Sequence, residues 1–252
     1  MIGPELKLWW EPREPSEADD ARRFARFVSG LRAFDPIYES WLRSPRPGTD
    51  VLRIPMSESE AKHFLLDKLQ RFDVGGARWP ERGSPYGAGH AGPAPYDFRK
   101  SSYADTAWNI GAYGEPLSVL QNHIFMRLSE LRPFTGRPWR ASELRPLMKF
   151  AREVWNPAEM LAMFFYAMDD LPEIADSTWA DGKRTLRPWI GWITYLPPDL
   201  AARAKYPADV EVDTLADGAA LVTLCEEPFE KTDAAGVARL RALEAALRPI
   251  QT

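Results

Sequence analysis

The segment from Val210 to Cys225 contains the strongest hairpin signal in the chain. Val210 to Thr214 and Ala219 to Cys225 each have the apolar pattern of a strand, and Ala216-Asp217-Gly218 between them supplies turn residues. A tight turn of this kind joins antiparallel neighbours, whereas parallel strands need a long crossover connection. The signal therefore favours a sheet that is built largely from local, antiparallel pairs.

Further strands are predicted where apolar residues recur at every second position. Leu6, Leu8 and Trp10 lie on one face of such a strand. The other candidates are Ala104 to Tyr113 and Val119 to Leu128, joined by Gly114-Glu115-Pro116, and Trp189 to Leu196. Met160 to Met168 is a continuous apolar run that fits either a strand buried on both faces or a buried helix. Its short length and its aromatic residues favour the strand.

Apolar residues spaced by three and four indicate helices in the remaining segments. These run from Ala18 to Leu31 after Ser16, from Ala61 to Phe72 after a Ser57/Glu60 capping box, from Leu144 to Trp155 after Ser142, and from Val237 to Leu247 after Thr232. Pro146 is compatible with the third helix because we place it in the first turn. Hairpins beside helices predict an α+β protein, a largely antiparallel twisted sheet covered by helices, in a single domain over residues 1–252.

Proline and glycine concentrate between residues 73 and 96. Proline is abundant in the whole chain, at 23 of 252 residues, against an average of about 5%. We expect this segment to be an irregular Gly/Pro-rich loop, either mobile or used for binding. Gly87-Ala88-Gly89-His90-Ala91-Gly92 matches the letters of a dinucleotide-binding motif, but prolines flank it and no helix is predicted after it. We therefore expect no cofactor there.

Composition excludes several classes of protein. The formal net charge of −4 does not suit a protein that coats nucleic acid or binds membranes through a polybasic surface. The N-terminus lacks the pattern of a secretory signal, and Met160 to Met168 is far shorter than the roughly 20 residues that span a bilayer. We expect a cytoplasmic protein without direct contact to nucleic acid or membrane. The single cysteine, Cys225, is expected to be a small buried residue.

The residues alone do not reveal a catalytic chemistry. His63, His90 and His123 are predicted on a helix, a loop and a strand, and none has a second ligand at metal-binding spacing. We predict no metal site. An enzyme of unrecognised type remains an alternative, with Asp169 or Asp170 and either His90 or His123 as the acid–base pair and the Gly/Pro-rich loop as a lid.

Acidic residues form two groups, each after a predicted strand. The first group is Asp169, Asp170, Glu173 and Asp176, and the second is Glu226, Glu227 and Glu230. Such charges can be a solvated edge that discourages aggregation. They can also form an acidic surface for a basic partner, and Asp169-Asp170 can be a pair of metal ligands. The sequence leaves these alternatives open.

Several motifs resemble the immunity protein 52 family of bacterial polymorphic-toxin systems. They are Leu6-Lys7-Leu8-Trp9-Trp10-Glu11-Pro12-Arg13, Ala21-Arg22-Arg23-Phe24 to Leu31, Phe34-Asp35-Pro36, Trp41, and the later Gly191-Trp192-Ile193-Thr194-Tyr195-Leu196. With a similar length and order of elements, the resemblance covers most of the chain. Its motifs are structural rather than catalytic.

Membership would imply an antitoxin that binds and neutralises the toxin domain encoded beside it. Such toxins are often nucleases of the restriction-endonuclease type that a secretion system, such as type VI, delivers. The resemblance implies a non-catalytic, stoichiometric inhibitor without a cofactor, whose partner is the cognate toxin domain. It supplies no contact residues. From the acidic cluster and from a tryptophan placed in a loop, we predict that the toxin interface contains Asp169, Asp170, Glu173, Asp176 and Trp179.

Overall fold

The computed structural model describes the molecule over residues 4–10, 17–34, 38, 41–43, 57, 59–60, 69–74, 77–91, 104–109, 122–128, 137–164, 179–180, 183–184, 190–230 and 232–250. Within these ranges, strands form a ten-stranded sheet. The pairings along it are antiparallel. Helices accompany the sheet, so the predicted α+β class is confirmed.

The elements have the following bounds. The strands are β1 (Pro4–Trp10), β2 (Trp41–Arg43), β3 (Leu69–Val74), β4 (Ala77–Ala91), β5 (Ala104–Asn109), β6 (Asn122–Arg127), β7 (Glu159–Phe164), β8 (Trp179–Ala180), β9 (Lys183–Arg184), β10 (Ile193–Leu196), β11 (Glu211–Thr214) and β12 (Ala220–Thr223). The helices are α1 (Glu17–Leu31), α2 (Ala141–Trp155), α3 (Pro198–Ala201) and α4 (Ala234–Leu247), with a 3-10 turn (Arg248–Ile250) after α4.

Strand β1 lies at the centre of the sheet. The order is β11-β12-β10-β7-β1-β6-β5-β4-β2, with β3 on the other side of part of β4, and β8 and β9 form a separate two-stranded ribbon. Leu6, Leu8 and Trp10 of β1 join the main core, as their spacing predicted. Trp9 points to the opposite face and is buried there with Leu161 and Met163 of β7. The centre of the sheet is therefore buried on both faces.

Burial on both faces explains the continuous apolar run that begins at Met160. Residues 160–163 are all buried. In a strand that is buried on one face only, every second residue would instead be exposed. Strand β7 confirms the strand interpretation over residues 160–164, and the rest of the run to Met168 lies outside the described residues.

Helix α2 covers the core face of the sheet beside α1. Its predicted apolar stripe is buried, comprising Leu144, Leu147, Met148, Ala151 and Trp155. The helix begins one residue before Ser142, with Arg140 as its N-cap, and the Arg140 backbone N–H donates to Glu143 Oε2 at 3.0 Å. Pro146 therefore lies in the second turn, and our placement in the first turn was wrong.

Helices α1 and α2 approach closely at Gly30. The Phe27 and Phe150 rings lie parallel with centroids 6.0 Å apart. A Cβ at Gly30 would overlap the Phe150 ring, so the absence of a side chain there lets the ring lie against α1. Helix α1 ends at Leu31, a few residues before the predicted stop at Asp35-Pro36.

The strands of both predicted hairpins pair with each other. The turn predicted at Gly114-Glu115-Pro116 lies outside the described residues. Strands β5 and β6 pair from Asp105/Arg127 to Asn109/His123, within the predicted segments. Strands β11 and β12 pair through a turn in which Gly218 has φ +88°. The Gly218 N–H donates to the Leu215 carbonyl at 2.9 Å, which closes the turn. Glycine adopts this backbone conformation at low cost.

The last helix begins one residue later than predicted. Asp233, rather than Thr232, is the N-cap of α4, and its carboxylate accepts from the N–H groups of Ala235 and Gly236 at 3.0 and 3.2 Å. Val237 is half-buried, whereas Leu240, Leu243 and Leu247 are fully buried as predicted.

The segment between Ser57 and residue 96 differs most from the sequence prediction. One half of the Ser57/Glu60 capping box is present, because the Glu60 N–H donates to Ser57 Oγ at 3.4 Å. The Glu60 carboxylate accepts from the Ser57 hydroxyl. However, the predicted helix does not reach Phe72, because Leu69–Val74 is strand β3.

The prediction of an irregular Gly/Pro-rich loop at 73–96 was also wrong, because residues 77–91 form the long strand β4. Its backbone pairs with β3, β5 and β2. Glycine and proline weaken a strand only locally, and partners along most of β4, at residues 77–78 and 83–91, outweigh that local cost. Gly87 to Ala91 lie within this ladder and not at a strand-to-helix turn, as dinucleotide binding would need.

Candidate functional site

A row of ion pairs joins helix α2 to the β11–β12 hairpin, and we name it the charged seam. Three basic side chains of α2 each meet an acidic side chain of the hairpin. The pairs are Arg145/Glu211, Lys149/Asp213 with Nζ and Oδ2 2.6 Å apart, and Arg152/Asp217. All six side chains are partly exposed, so the seam is accessible to a partner along its length.

Sequence spacing creates this row. Arg145, Lys149 and Arg152 are separated by four and three residues, so they lie on one face of the helix. Glu211 and Asp213 are separated by two, so they lie on one face of β11. Partly exposed pairs of this kind contribute about 0–1 kcal/mol each to stability. The seam therefore contributes little to the stability of the fold.

The second predicted acidic group lies at the N-terminal end of α2. Glu226 accepts from the Ser142 N–H at 3.3 Å and from the Ser142 hydroxyl, and its carbonyl accepts from the Ala141 N–H at 2.9 Å. Glu227 pairs with Arg140 at 3.0 Å. Glu230 is exposed. Two of these three carboxylates are thus engaged within the molecule: Glu226 caps the helix, and Glu227 forms an ion pair with the Arg140 side chain.

Tyr195 lies beneath the seam, with only 3% of its surface exposed. Burial raises its pKa above the usual 10.0, while a hydrogen bond with Arg152 acts in the opposite direction. The phenol is therefore neutral at physiological pH. Arg152 links this buried hydroxyl to Asp217 at the surface.

Cys225 lies at the other end of the same hairpin. It is half-buried, whereas the sequence predicted a buried residue. Burial is the main reason that its pKa is raised above 9.0, and nearby Arg239 opposes this shift. Its Sγ donates to the Glu227 carbonyl at 3.1 Å, and the Trp192 indole N–H donates to the Cys225 carbonyl at 2.7 Å. The thiol is thus held protonated beside a fixed backbone.

The first predicted interface group lies outside the described residues. This applies to Asp169, Asp170, Glu173 and Asp176, and also to His63. The backbone of Trp179 belongs to β8, where it pairs with Arg184, and its side chain is outside the described part. The prediction of an interface at these five residues therefore stays a prediction.

The two histidines of the enzyme alternative lie on different strands. His90 of β4 pairs with Asp105 of β5, and His123 of β6 pairs with Asn109 of the same strand. Their backbones are therefore separated by two strand spacings, about 10 Å, and by four residues along the strand, about 13 Å. Among the side chains that the structure describes, no three His, Cys, Asp or Glu residues are grouped to hold a metal ion.

The described helices include none that is both long and apolar enough to cross a bilayer. On the described surface, the charged seam is a row of basic side chains that alternate with acidic ones.

The comparisons with known proteins identify a fold. No protein-family model matches the chain, and no curated protein matches it in sequence. Among solved structures, the chain is similar to the Pseudomonas aeruginosa T6SS protein PA0821, with a TM-score of 0.52 and 11% sequence identity. The similarity covers 100% of this chain and 73% of the other. At this identity the likeness shows a shared fold.

Proposed function

We propose that this chain is an immunity protein of a bacterial toxin system that binds and neutralises a cognate secreted toxin. The observation that carries the proposal is the shared fold, which extends over the whole chain, with a protein described as a T6SS protein. The motifs that resemble the immunity protein 52 family, such as Leu6 to Arg13 and Gly191 to Leu196, point in the same direction. On this proposal the toxin is a nuclease effector and the protein acts in the cytoplasm.

The proposed mechanism is stoichiometric binding without catalysis. Charged side chains on the edge of a rigid sheet suit recognition, because complementary charges speed association and fix the register of a complex. Tyr195 is held neutral and Cys225 is held protonated, which suits neither of them to a role as nucleophile or base near neutral pH. An inhibitor of this kind needs high affinity, since a few free toxin molecules damage the cell.

The toxin interface is proposed at Asp169, Asp170, Glu173, Asp176 and Trp179. The carboxylates would meet the basic surface that a nuclease uses to hold nucleic acid. Trp179 would supply the apolar anchor that interfaces commonly contain. Charge reversal in D169K/D170K is expected to weaken protection against the toxin. Unchanged protection would remove these two residues from the interface.

The experiment that tests the function is co-expression with the C-terminal domain of the effector encoded beside this chain. Growth is measured with the toxin alone, with the toxin and this protein, and with the toxin and an unrelated protein of similar size. Rescue together with a stable complex supports the proposal. Absence of both rescue and complex contradicts it.

Stoichiometry separates inhibition from enzymatic protection. Toxin activity is titrated with purified protein in vitro. A binder abolishes activity at an equimolar end point, whereas an enzyme that modifies the toxin does so at a small fraction of that amount. Protection at strongly substoichiometric amounts would contradict the non-catalytic mechanism.

A further inference from the structure

The turn after α3 and the end of α4 bring three exposed basic side chains together. Arg203 and Lys205 lie on the turn, and Arg248 follows the last residue of α4. Arg203 Nη2 donates to the Ile250 carbonyl at 3.3 Å, which ties the turn to the end of the helix. We name Arg203, Lys205 and Arg248 the basic corner.

The basic corner differs from the charged seam in how its charges are used. On the seam every basic side chain meets a carboxylate. Within the described residues, no carboxylate pairs with Arg203 or Lys205. The same is true of Arg32. Arg248 pairs with the buried Glu244 and still has 62% of its side chain exposed. Positive charge is therefore left at the surface of the corner.

Arg203 is also held in a fixed orientation. Its Nε donates to the Asp199 carbonyl at 3.2 Å, and Nη2 donates to the Ile250 carbonyl. These carbonyl groups orient the guanidinium without cancelling its charge. A guanidinium has five N–H donors, so those that do not bind the two carbonyls are left for another acceptor. The hydroxyl of Tyr206 donates to the Ala201 carbonyl at 3.3 Å, which fixes the turn further. A pre-positioned guanidinium loses little freedom when a partner binds.

We propose that the basic corner is a docking site for an acidic patch on the protein partner, and, given the proposed function, that this partner is the toxin. A guanidinium fork matches a carboxylate with two parallel hydrogen bonds, which gives both strength and orientation. Lys205 adds a second exposed positive charge on the same turn. The acidic Asp199 lies in α3, before this turn, and is exposed, so the corner selects partners whose carboxylates approach from the side of Arg203 and Lys205.

The experiment compares R203E with R32E, which makes the same change of charge at Arg32, just after α1. Affinity for the isolated toxin domain is measured by biolayer interferometry at low and high salt, and thermal unfolding checks that each variant is folded. We expect R203E to weaken binding by about tenfold or more and to reduce its salt dependence, because an interface charge mainly changes association. R32E should stay within about twofold of the wild type.

Two further variants guard against a purely structural effect of R203E. K205E changes a side chain to which the structure assigns no partner within the described residues, so it should fold normally and still weaken binding several-fold. R203K keeps the charge without the fork, and its affinity should lie between those of the wild type and R203E.

The outcomes separate this inference from the proposed function. If the wild type binds the toxin and R203E and K205E bind equally well, the basic corner is not the docking site, while the immunity function stands. If the wild type neither binds nor protects, the proposed function fails and the toxin is excluded as the partner. If the variants lose affinity for a short DNA duplex and not for the toxin, the acidic-protein assignment is overturned.

Discussion

The indole rings of Trp10 and Trp155 stack with their centroids 4.9 Å apart and their planes 20° from parallel. Trp10 ends strand β1 and Trp155 ends helix α2, and both are buried. Phe27 of α1 meets the Trp155 ring edge-on, with centroids 5.9 Å apart. One side chain of α2 thus contacts both the central strand and the neighbouring helix.

Replacing Trp155 with alanine should be among the most destabilising changes in the chain. W155A removes the stacked pair and leaves a cavity, which we expect to lower the free energy of unfolding by about 3–5 kcal/mol. E153A on the same helix removes a partly exposed ion pair with Arg26 and should cost about 1 kcal/mol or less. Urea denaturation of both variants provides the measurement. A similar loss in the two would contradict the central role of Trp155.

Gly191 is required because the chain just before β10 passes close to strand β7. A Cβ there would overlap the backbone carbonyl of Ala162 in β7, which cannot move without disturbing the ladder. We expect G191A to cost about 3 kcal/mol.

The control for this change is G218A, where the space is open and only φ +88° opposes a side chain. We expect that variant to cost about 1 kcal/mol. Thermal unfolding of the two variants compares the cost of steric overlap at residue 191 with the cost of backbone strain at residue 218. A larger loss of stability in G218A than in G191A would refute the steric explanation.

The parts of the fold that were predicted correctly are those in which periodicity reports burial. Leu6, Leu8 and Trp10 alternate because the main core lies on one face of β1, and α2 repeats its apolar residues because one stripe faces that core. Strand β4 was missed because its glycines and prolines suggest a loop, whereas its strand structure depends on partners elsewhere in the chain.

The surface was predictable only in part. The acidic residues after β12 were recognised, but Glu226 caps α2 through Ser142, which lies 84 residues earlier in the chain, and no local pattern reveals that contact. The basic corner was missed for the same reason, since Arg203 and Ile250 meet across 47 residues. Charge can be read from a sequence, whereas the pairing of charges requires the fold.

Glu226 should stabilise the start of α2. E226A removes the carboxylate that accepts from Ser142, and loss of a helix cap costs about 0.5–2 kcal/mol. E227A, which removes a pair between two exposed side chains, should cost less, about 0–1 kcal/mol. Chemical denaturation distinguishes them, and an equal or larger effect of E227A would show that Glu226 does not act as a cap.

Stability should fall at alkaline pH because Tyr195 resists ionisation in the folded protein. Burial raises its pKa above 10.0, so the unfolded chain loses this proton at a lower pH than the native state does. Between the two pKa values the unfolded state binds fewer protons, and the free energy of unfolding therefore decreases as the pH rises above about 10. Below that value both states keep the proton and the contribution is constant.

Urea midpoints at pH 8, 9, 10 and 11 measure how steeply stability falls with pH for the wild type and for Y195F. The phenylalanine variant lacks the ionisable group, so its stability should decline less steeply above pH 10; identical slopes would mean that other groups, such as Tyr206, whose pKa burial also raises, account for the decline.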